Sequence, residues 1–363
     1  MIYRVIGLMS GSSLDGLDIA FIEFEESGGK WNYNIKASGC PAYNTEWSKR
    51  LGNAHKLSAF DYFLLHADYG KYIAEKINEF IEAHELHHQV QLISSHGHTV
   101  FHSPAQGVTA QIGDGAAIAA NTGINVVSDL RAMDIALGGQ GAPIVPIGEK
   151  LLFTDYSCFL NLGGIANISC STKKGYVAFD VCAANKILNL LAQTLGKEYD
   201  ESGMIASSGK VNNALLAELN ELDFYKRSHP KSLDNSFGIQ KIYPLVQSFG
   251  LHVEDAMRTY IEHIIVQITN SFQSILHDTE SKKLLVTGGG AFNKFLTNRL
   301  QEKLVDNGIE VVIPNADLIN NKEALIMALI GILRWREENN VLSSGTGALR
   351  DSINGAVWIG QEA

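Results

Sequence analysis

Apolar and polar positions alternate in short runs at the start of the chain, and glycine, serine and aspartate separate the runs. This period-two pattern predicts strands over residues 3–9, 17–25 and 31–37. A Ser/Gly-rich turn at 10–16 and a hairpin turn at Ser27-Gly28-Gly29-Lys30 join them. Helical spacing takes over from 59 to 84, where Phe63, Leu64, Ala67, Tyr72, Ile73, Ile77, Phe80 and Ile81 recur at three- and four-residue steps. A strand at 90–95 ending at Ser-His-Gly-His-Thr, a helix at 114–122 stopped by Gly123, and a strand at 124–128 complete the first half.

After a glycine-rich loop at 137–146 the pattern begins again. Strands are predicted at 157–162 and 165–171 around Gly163-Gly164, then a strand at 175–180 and helices at 184–195 and 253–277. A strand at 283–287 runs into Gly288-Gly289-Gly290, followed by a helix at 291–304, a strand at 311–314 and a helix at 322–336. Each half therefore opens with a hairpin bent at glycines, which suggests a duplicated α/β unit with a cleft between the copies. The expected division is an N-terminal domain over 1–127 and a second domain over 128–340, with 341–363 packing back on the first. No linker is rich in proline and serine, so the domains are expected to be closely apposed.

Length and composition sharpen this picture. A chain of 363 residues exceeds the usual span of one core, and 45% hydrophobic residues supply material for two. A net charge of −10, with no Lys/Arg-dense stretch, sets aside nucleic acid and anionic membranes as partners. Phosphate binding survives, because such sites use local amides and metal. No apolar run reaches the ~18 residues of a membrane span, and the N-terminal apolar run is too short for a signal peptide. The cysteines, at 40, 158, 170 and 182, form no CxxC pair, so no disulfide framework is expected and a reducing cytoplasm is.

Five stretches carry candidate chemistry. Gly11, Ser12, Ser13, Asp15, Gly16 and Asp18 lie in a turn whose amides and hydroxyls suit a phosphate, and Asp15 or Asp18 suits Mg²⁺. A plain β-turn explains that composition equally well. No G-x-x-x-x-G-K-[ST] pattern occurs, so a nucleotide site here is not a P-loop. Gly288, Gly289 and Gly290, with Asn293 close behind, join a strand to a helix and exceed what such a turn requires, which favours a nucleotide lying against the backbone. Gly163 and Gly164 either face phosphates or form a simple hairpin turn. Asp180, at the predicted end of a strand, is placed as a general base, with helix capping the alternative. His96, His98, Gln111, Asp114, Asp129, Arg131, Asp134 and Gln140 form a polar set suited to sugar hydroxyls and a carboxylate. No third ligand at a suitable spacing makes His96 and His98 a metal site.

Taken together, these blocks resemble a known family. GLMSGSSLDGLDIA, SHGHTVFH, QIGDGAAIAA, DLRAMDIALGGQGAPIVP, NLGGIANIS and LLVTGGGAFN stand in the order found in the anhydro-N-acetylmuramic acid kinases, and the likeness runs from about Tyr3 to Gly345-Thr346-Gly347-Ala348. The resemblance implies an α/β chain of two actin-like (RNase H-like) domains, with mixed sheets flanked by helices and an inter-domain cleft. It implies ATP and Mg²⁺ as cofactors, a small-molecule sugar as partner and a homodimer. Asp180 matches the catalytic aspartate, which activates water to open the 1,6-anhydro sugar while the freed 6-oxygen takes the γ-phosphoryl group. The product would be N-acetylmuramic acid 6-phosphate, formed in cell-wall recycling. Arg131 and its polar neighbours, with Asn185 and Glu323, would hold the sugar. Ser13 replaces the family's usual threonine, Cys182-Ala183-Ala184 replaces a frequent Gly-Pro-Gly, and Asn189 stands where many members carry aspartate. The competing expectations are a kinase of another sugar with the same fold, and a chaperone-like ATPase or regulatory ATP-binding protein.

Overall fold

The computed structural model describes every residue except 12, 174, 230, 235, 276–278, 280–281 and 361–363. The chain forms two compact units: Met1–Thr154 with Asn321–Ala363, and Asp155–Asn320. The expected division at 127/128 falls inside the first unit.

In the first unit, strands β1 (Ile2–Ser10), β2 (Asp18–Ser27) and β3 (Lys30–Gly39) form an antiparallel meander. β4 (Leu92–Ser103) then pairs parallel to β1, and β5 (Val108–Ile112) folds back on β4 as a hairpin. β6 (Val126–Ser128) lies parallel to β4 on its other side. The helix Ala59–Ala83 starts at Ser58, whose hydroxyl accepts the Asp61 N–H at 3.2 Å, and covers the sheet with Leu65, Tyr69, Ile73, Ile77 and Phe80. Phe63 and Leu64, expected on that stripe, are exposed, because the buried face follows the 65–69–73–77–80 row.

The second unit repeats the plan. β7 (Cys158–Leu162), β8 (Ile165–Thr172) and β9 (Gly175–Ala183) form the meander, while β10 (Lys283–Thr287) and β11 (Glu310–Val312) add in parallel beyond β7. Its order, β11-β10-β7-β8-β9, mirrors β6-β4-β1-β2-β3 in the first sheet. Three antiparallel strands followed by two parallel ones, twice in one chain, make the actin-like (RNase H-like) fold that was expected. Among helices of this unit, Val253–Gln273 buries Met257, Tyr260, Ile261, Ile264, Ile265 and Ile268 against the sheet. The predicted end of that helix at 277 lies outside the described residues. The final strand, β12 (Ala356–Trp358), pairs antiparallel with β6 of the first unit.

Several expected boundaries move. β4 continues through His96 and His98 to Ser103, because those polar side chains are buried in the sheet rather than solvated in a loop. β9 runs to Ala183, beyond the expected end at Asp180. Gly289–Phe292 is a 3₁₀ turn, and the α-helix begins only at Lys294, capped by Asn293. The helix expected at 322 starts at Ala316. The cysteine reading is corrected too. Cys158 and Cys170 stand opposite each other on β7 and β8, Cα atoms 4.2 Å apart, and are joined as a disulfide. Strand register brings them together, which linear spacing does not reveal. Among the described residues no helix is long and apolar enough to cross a membrane.

Candidate active site

Asp180 is the centre of the second-unit cluster. It pairs with Asn167 on β8 at a bulge, where β9 holds Val181 as an extra residue. The bulge sends Val181 and Cys182 into the core together and leaves Asp180 half-buried on the other face. Burial raises its carboxyl above the usual range, while the Leu233 N–H and the Ser232 hydroxyl, at 2.8 and 3.2 Å from Oδ2, oppose that rise. Ala184, not Asp180, occupies the cap of the helix Asn185–Gln193, so capping does not account for this carboxylate.

Two glycine-bearing motifs meet beside that helix. The Gly163 and Gly164 carbonyls accept the Asn185 and Ala184 N–H groups at 3.1 and 2.8 Å, so the hairpin seats the helix start. Asn185 Nδ2 donates to the Leu162 carbonyl at 2.8 Å. A Cβ on Gly288, which has φ +81°, would fall on Asn161 Oδ1 and within 2.9 Å of the Leu162 carbonyl. One on Gly290 would meet Leu162 Cβ at 2.7 Å. Close backbone approach therefore dictates glycine at both positions, whereas Gly289 would meet only Asn185 Nδ2, at 3.8 Å, and lines the open side. Asn293 accepts the Leu296 N–H at 3.0 Å; its side chain is 8% exposed and serves as a cap.

A second cluster belongs to the first unit. Asp15 Oδ1 accepts the Ser13 hydroxyl at 2.6 Å and the Gly16 N–H at 3.0 Å, which folds the turn back on itself. Gly16 bridges to Ala42, and Gly11 is partly exposed at the mouth of the turn. Ser12 lies outside the described residues. Asp18 opens β2; burial pushes its carboxyl up to about 6, the Cys40 thiol pulls it down, and Asp15 and Glu323 push it further up. Burial also raises Glu323, against the pull of Lys322 and Arg131. Asp18, raised by burial and by the charges of Asp15 and Glu323, stands among carboxylates that suit a hard cation whose remaining ligands are phosphate and water oxygens. No group of three or more potential ligands gathers among the described residues, so protein alone does not complete a coordination shell.

Arg131 is held rather than loose. Its Nε donates to His96 Nε2 at 2.8 Å and its Nη1 to the Gly141 carbonyl at 2.5 Å, leaving other guanidinium donors for a ligand. Burial lowers its pKa to about 10, within the range where it stays charged. His96 is 2% exposed, and burial together with Arg131 drops its pKa to about 3. It is therefore a neutral ring that donates from Nδ1 to the Gly97 carbonyl and accepts from Arg131. Asp134 is fully buried. Its oxygens accept the Thr346 hydroxyl and the Gly141 N–H, both at 2.7 Å, so it ties the glycine loop and the C-terminal Gly345–Ala348 stretch together. Asp114 caps the helix Gly115–Thr122. Gln140 is exposed, and Gln111 donates to Thr109 at 2.9 Å while its Oε1 is buried without a partner. Asp129, at φ +57°, keeps part of its surface open, while desolvation of its carboxyl raises its pKa and the His66 charge lowers it.

Sequence reasoning passed over His66, Ser232 and a buried hydroxyl chain. In that chain His98 meets Ser10 at 3.1 Å, Ser10 accepts from Tyr43 at 2.8 Å, and Tyr43 meets Tyr69 at 2.5 Å. Aromatic spacing alone marks those tyrosines as core. A family model described as anhydro-N-acetylmuramic acid kinase matches residues 3–360. The chain belongs to the anhydro-N-acetylmuramic acid kinase family. Proteins of that name include one from Sulfurovum sp. (strain NBC37-1), 33% identical with 98% of this chain and 99% of the relative covered. Another, from Hydrogenovibrio crunogenus, is 31% identical with 97% of each covered. A third, from Pseudomonas savastanoi pv. phaseolicola, is 36% identical over 85% of this chain and 86% of its own. Where the resemblance leads one to expect Gly-Pro-Gly, Cys182 is fully buried, Ala183 ends β9 and Ala184 stands at the helix cap.

Proposed function

We propose that this chain is an ATP-dependent kinase that opens 1,6-anhydro-N-acetylmuramic acid with water and phosphorylates it, giving N-acetylmuramic acid 6-phosphate and ADP. The observation that carries the reading is a half-buried carboxylate, Asp180, that no helix cap consumes, in a chain of this family. Asp180 takes a proton from water as the water oxygen bonds to the anomeric carbon. The bond from that carbon to the bridging oxygen breaks, and the freed 6-oxygen takes the γ-phosphoryl group. Gly163, Gly164, Gly288, Gly289, Gly290 and Asn293 are assigned to the nucleotide, with Gly11, Ser12, Ser13 and Gly16 on the phosphates. His96, Gln111, Asp129, Arg131, Asp134, Gln140, Asn185 and Glu323 are assigned to the sugar, and of these His96 and Asp134 act through the groups they hold. Mg²⁺, held by Asp18 and Asp15, would neutralise the charge on the transferring phosphoryl group.

A cytoplasmic homodimer that acts on small molecules, and on neither nucleic acid nor membrane, completes the reading. Its support is the family and the net charge of −10; sedimentation at the mass of a single chain would remove the dimer. A coupled ADP-release assay with Mg·ATP tests the function. Release should require the anhydro sugar, should not occur with the reducing sugar, and should fall by at least about 10³-fold in Asp180→Asn. ADP release without sugar would contradict the reading in favour of a chaperone-like ATPase.

A further inference from the structure

β9 is the outer strand of its sheet, and residues 231–233 run along its free edge. The Asp180 N–H donates to the Lys231 carbonyl at 3.0 Å, and Asp180 Oδ2 accepts from the Leu233 N–H and the Ser232 hydroxyl at 2.8 and 3.2 Å. The segment is anchored independently of that carboxylate. The Leu233 side chain is buried in the core, and Lys231 Nζ stands 4.8 Å above the Phe224 ring. A three-residue stretch thus grips both the backbone and the side chain of one aspartate, from more than fifty positions away.

We propose that Ser232 and the Leu233 amide form a positioning clamp on Asp180, fixing the rotation of its carboxylate so that Oδ2 is held by the protein and Oδ1 is presented to the water. The proposal rests on Asp180 being the general base. Among the described residues both side-chain hydrogen bonds to Asp180 fall on Oδ2, which leaves Oδ1 with the lone pair that accepts the proton. The clamp also favours the ionised base. Two donors to a half-buried carboxylate offset part of the desolvation that otherwise keeps it protonated. The amide cannot be removed by changing the Leu233 side chain, but the hydroxyl can be removed alone. Ser232 is exposed, so its loss leaves the fold intact.

The test compares Ser232→Ala, Ser232→Thr and Asp180→Asn, each as full-length protein, by kcat and KM for the anhydro sugar from pH 5 to 9. Without the hydroxyl the carboxyl keeps its proton to higher pH. The acid limb of kcat for Ser232→Ala should therefore move upward in pH, with a loss of about three- to tenfold at pH 6 that shrinks toward pH 9. The sugar KM should hold, and threonine should restore the wild-type profile. An unmoved acid limb overturns the clamp, as does a pH-independent loss that threonine fails to repair. If Asp180→Asn retains activity, the base assignment fails instead. If that variant is inactive while Ser232→Ala behaves as wild type, only the clamp fails.

Discussion

Asp18 is a carboxylic acid that folding makes harder to ionise. Burial, with Asp15 and Glu323 adding negative charge, lifts it to about 6 even though the Cys40 thiol favours the charged form. A folded-state pKa above the unfolded one means that ionised Asp18 opposes folding at neutral pH. That cost disappears as pH falls through 6 towards the ordinary carboxylate value. In the absence of nucleotide, Asp18→Asn should therefore stabilise the protein at pH 7.5 by about 1–2 kcal/mol, allowing for the side chain's partial contact with water. The gain should vanish near pH 4, while the variant's affinity for Mg·ATP falls; equal melting curves at pH 7.5 would count against the account. At this scale the sequence was only partly legible. Asp180 stood out as a carboxylate closing an apolar strand, the end of a strand at which open α/β sheets bind ligands. Ser232, which holds it, carries no periodic or compositional signal and is identified only by the fold bringing residues 180 and 232 together. Asp134 read as one of a polar set suited to sugar hydroxyls, and its complete burial against Thr346 and Gly141 emerges only in three dimensions.

At the scale of elements, the turn at Gly288–Gly290 separates two kinds of glycine. Gly288 is fixed by its positive φ and by the Leu162 carbonyl, whereas Gly289 faces open space apart from Asn185. Gly288→Ala should lower stability by about 2–4 kcal/mol, and Gly289→Ala should leave it nearly unchanged while weakening ATP binding. Thermal denaturation of the two variants side by side measures this, and equal melting temperatures would refute the distinction. Apolar patterning made the meander strands legible: β8 buries one face in alternation, while β1, β2 and β7 carry runs buried on both faces. It failed on β4 beyond Ser95, where the buried His96 and His98 read as the strand's polar end. It failed again at the helix Ala316–Trp335, whose first turn, with Asn315 accepting the Leu318 N–H at 3.0 Å, is parted from the later apolar run by Asn320, Asn321, Lys322 and Glu323.

For the molecule as a whole, the duplication was visible in two glycine-bent hairpins, and the matching strand orders of the two sheets give it physical form. The domain limits were harder to see, since the chain leaves the first unit at Thr154 and re-enters at Asn321, inside a continuous helix with no linker composition to mark it. Motif order carried the family, whose model matches residues 3–360 and so runs through both units, and the proposed chemistry follows from that membership. That chemistry joins two bond changes, hydrolytic opening of the anhydro bridge and phosphoryl transfer to the oxygen it releases. The direct test is a single turnover of the anhydro sugar with Mg·ATP in ¹⁸O-labelled water, read by mass spectrometry of the products. The account predicts one ¹⁸O at the anomeric carbon of the phosphorylated sugar and none in its phosphate. Label appearing in phosphate, or an anhydro sugar left unconsumed while ATP is hydrolysed, would contradict it.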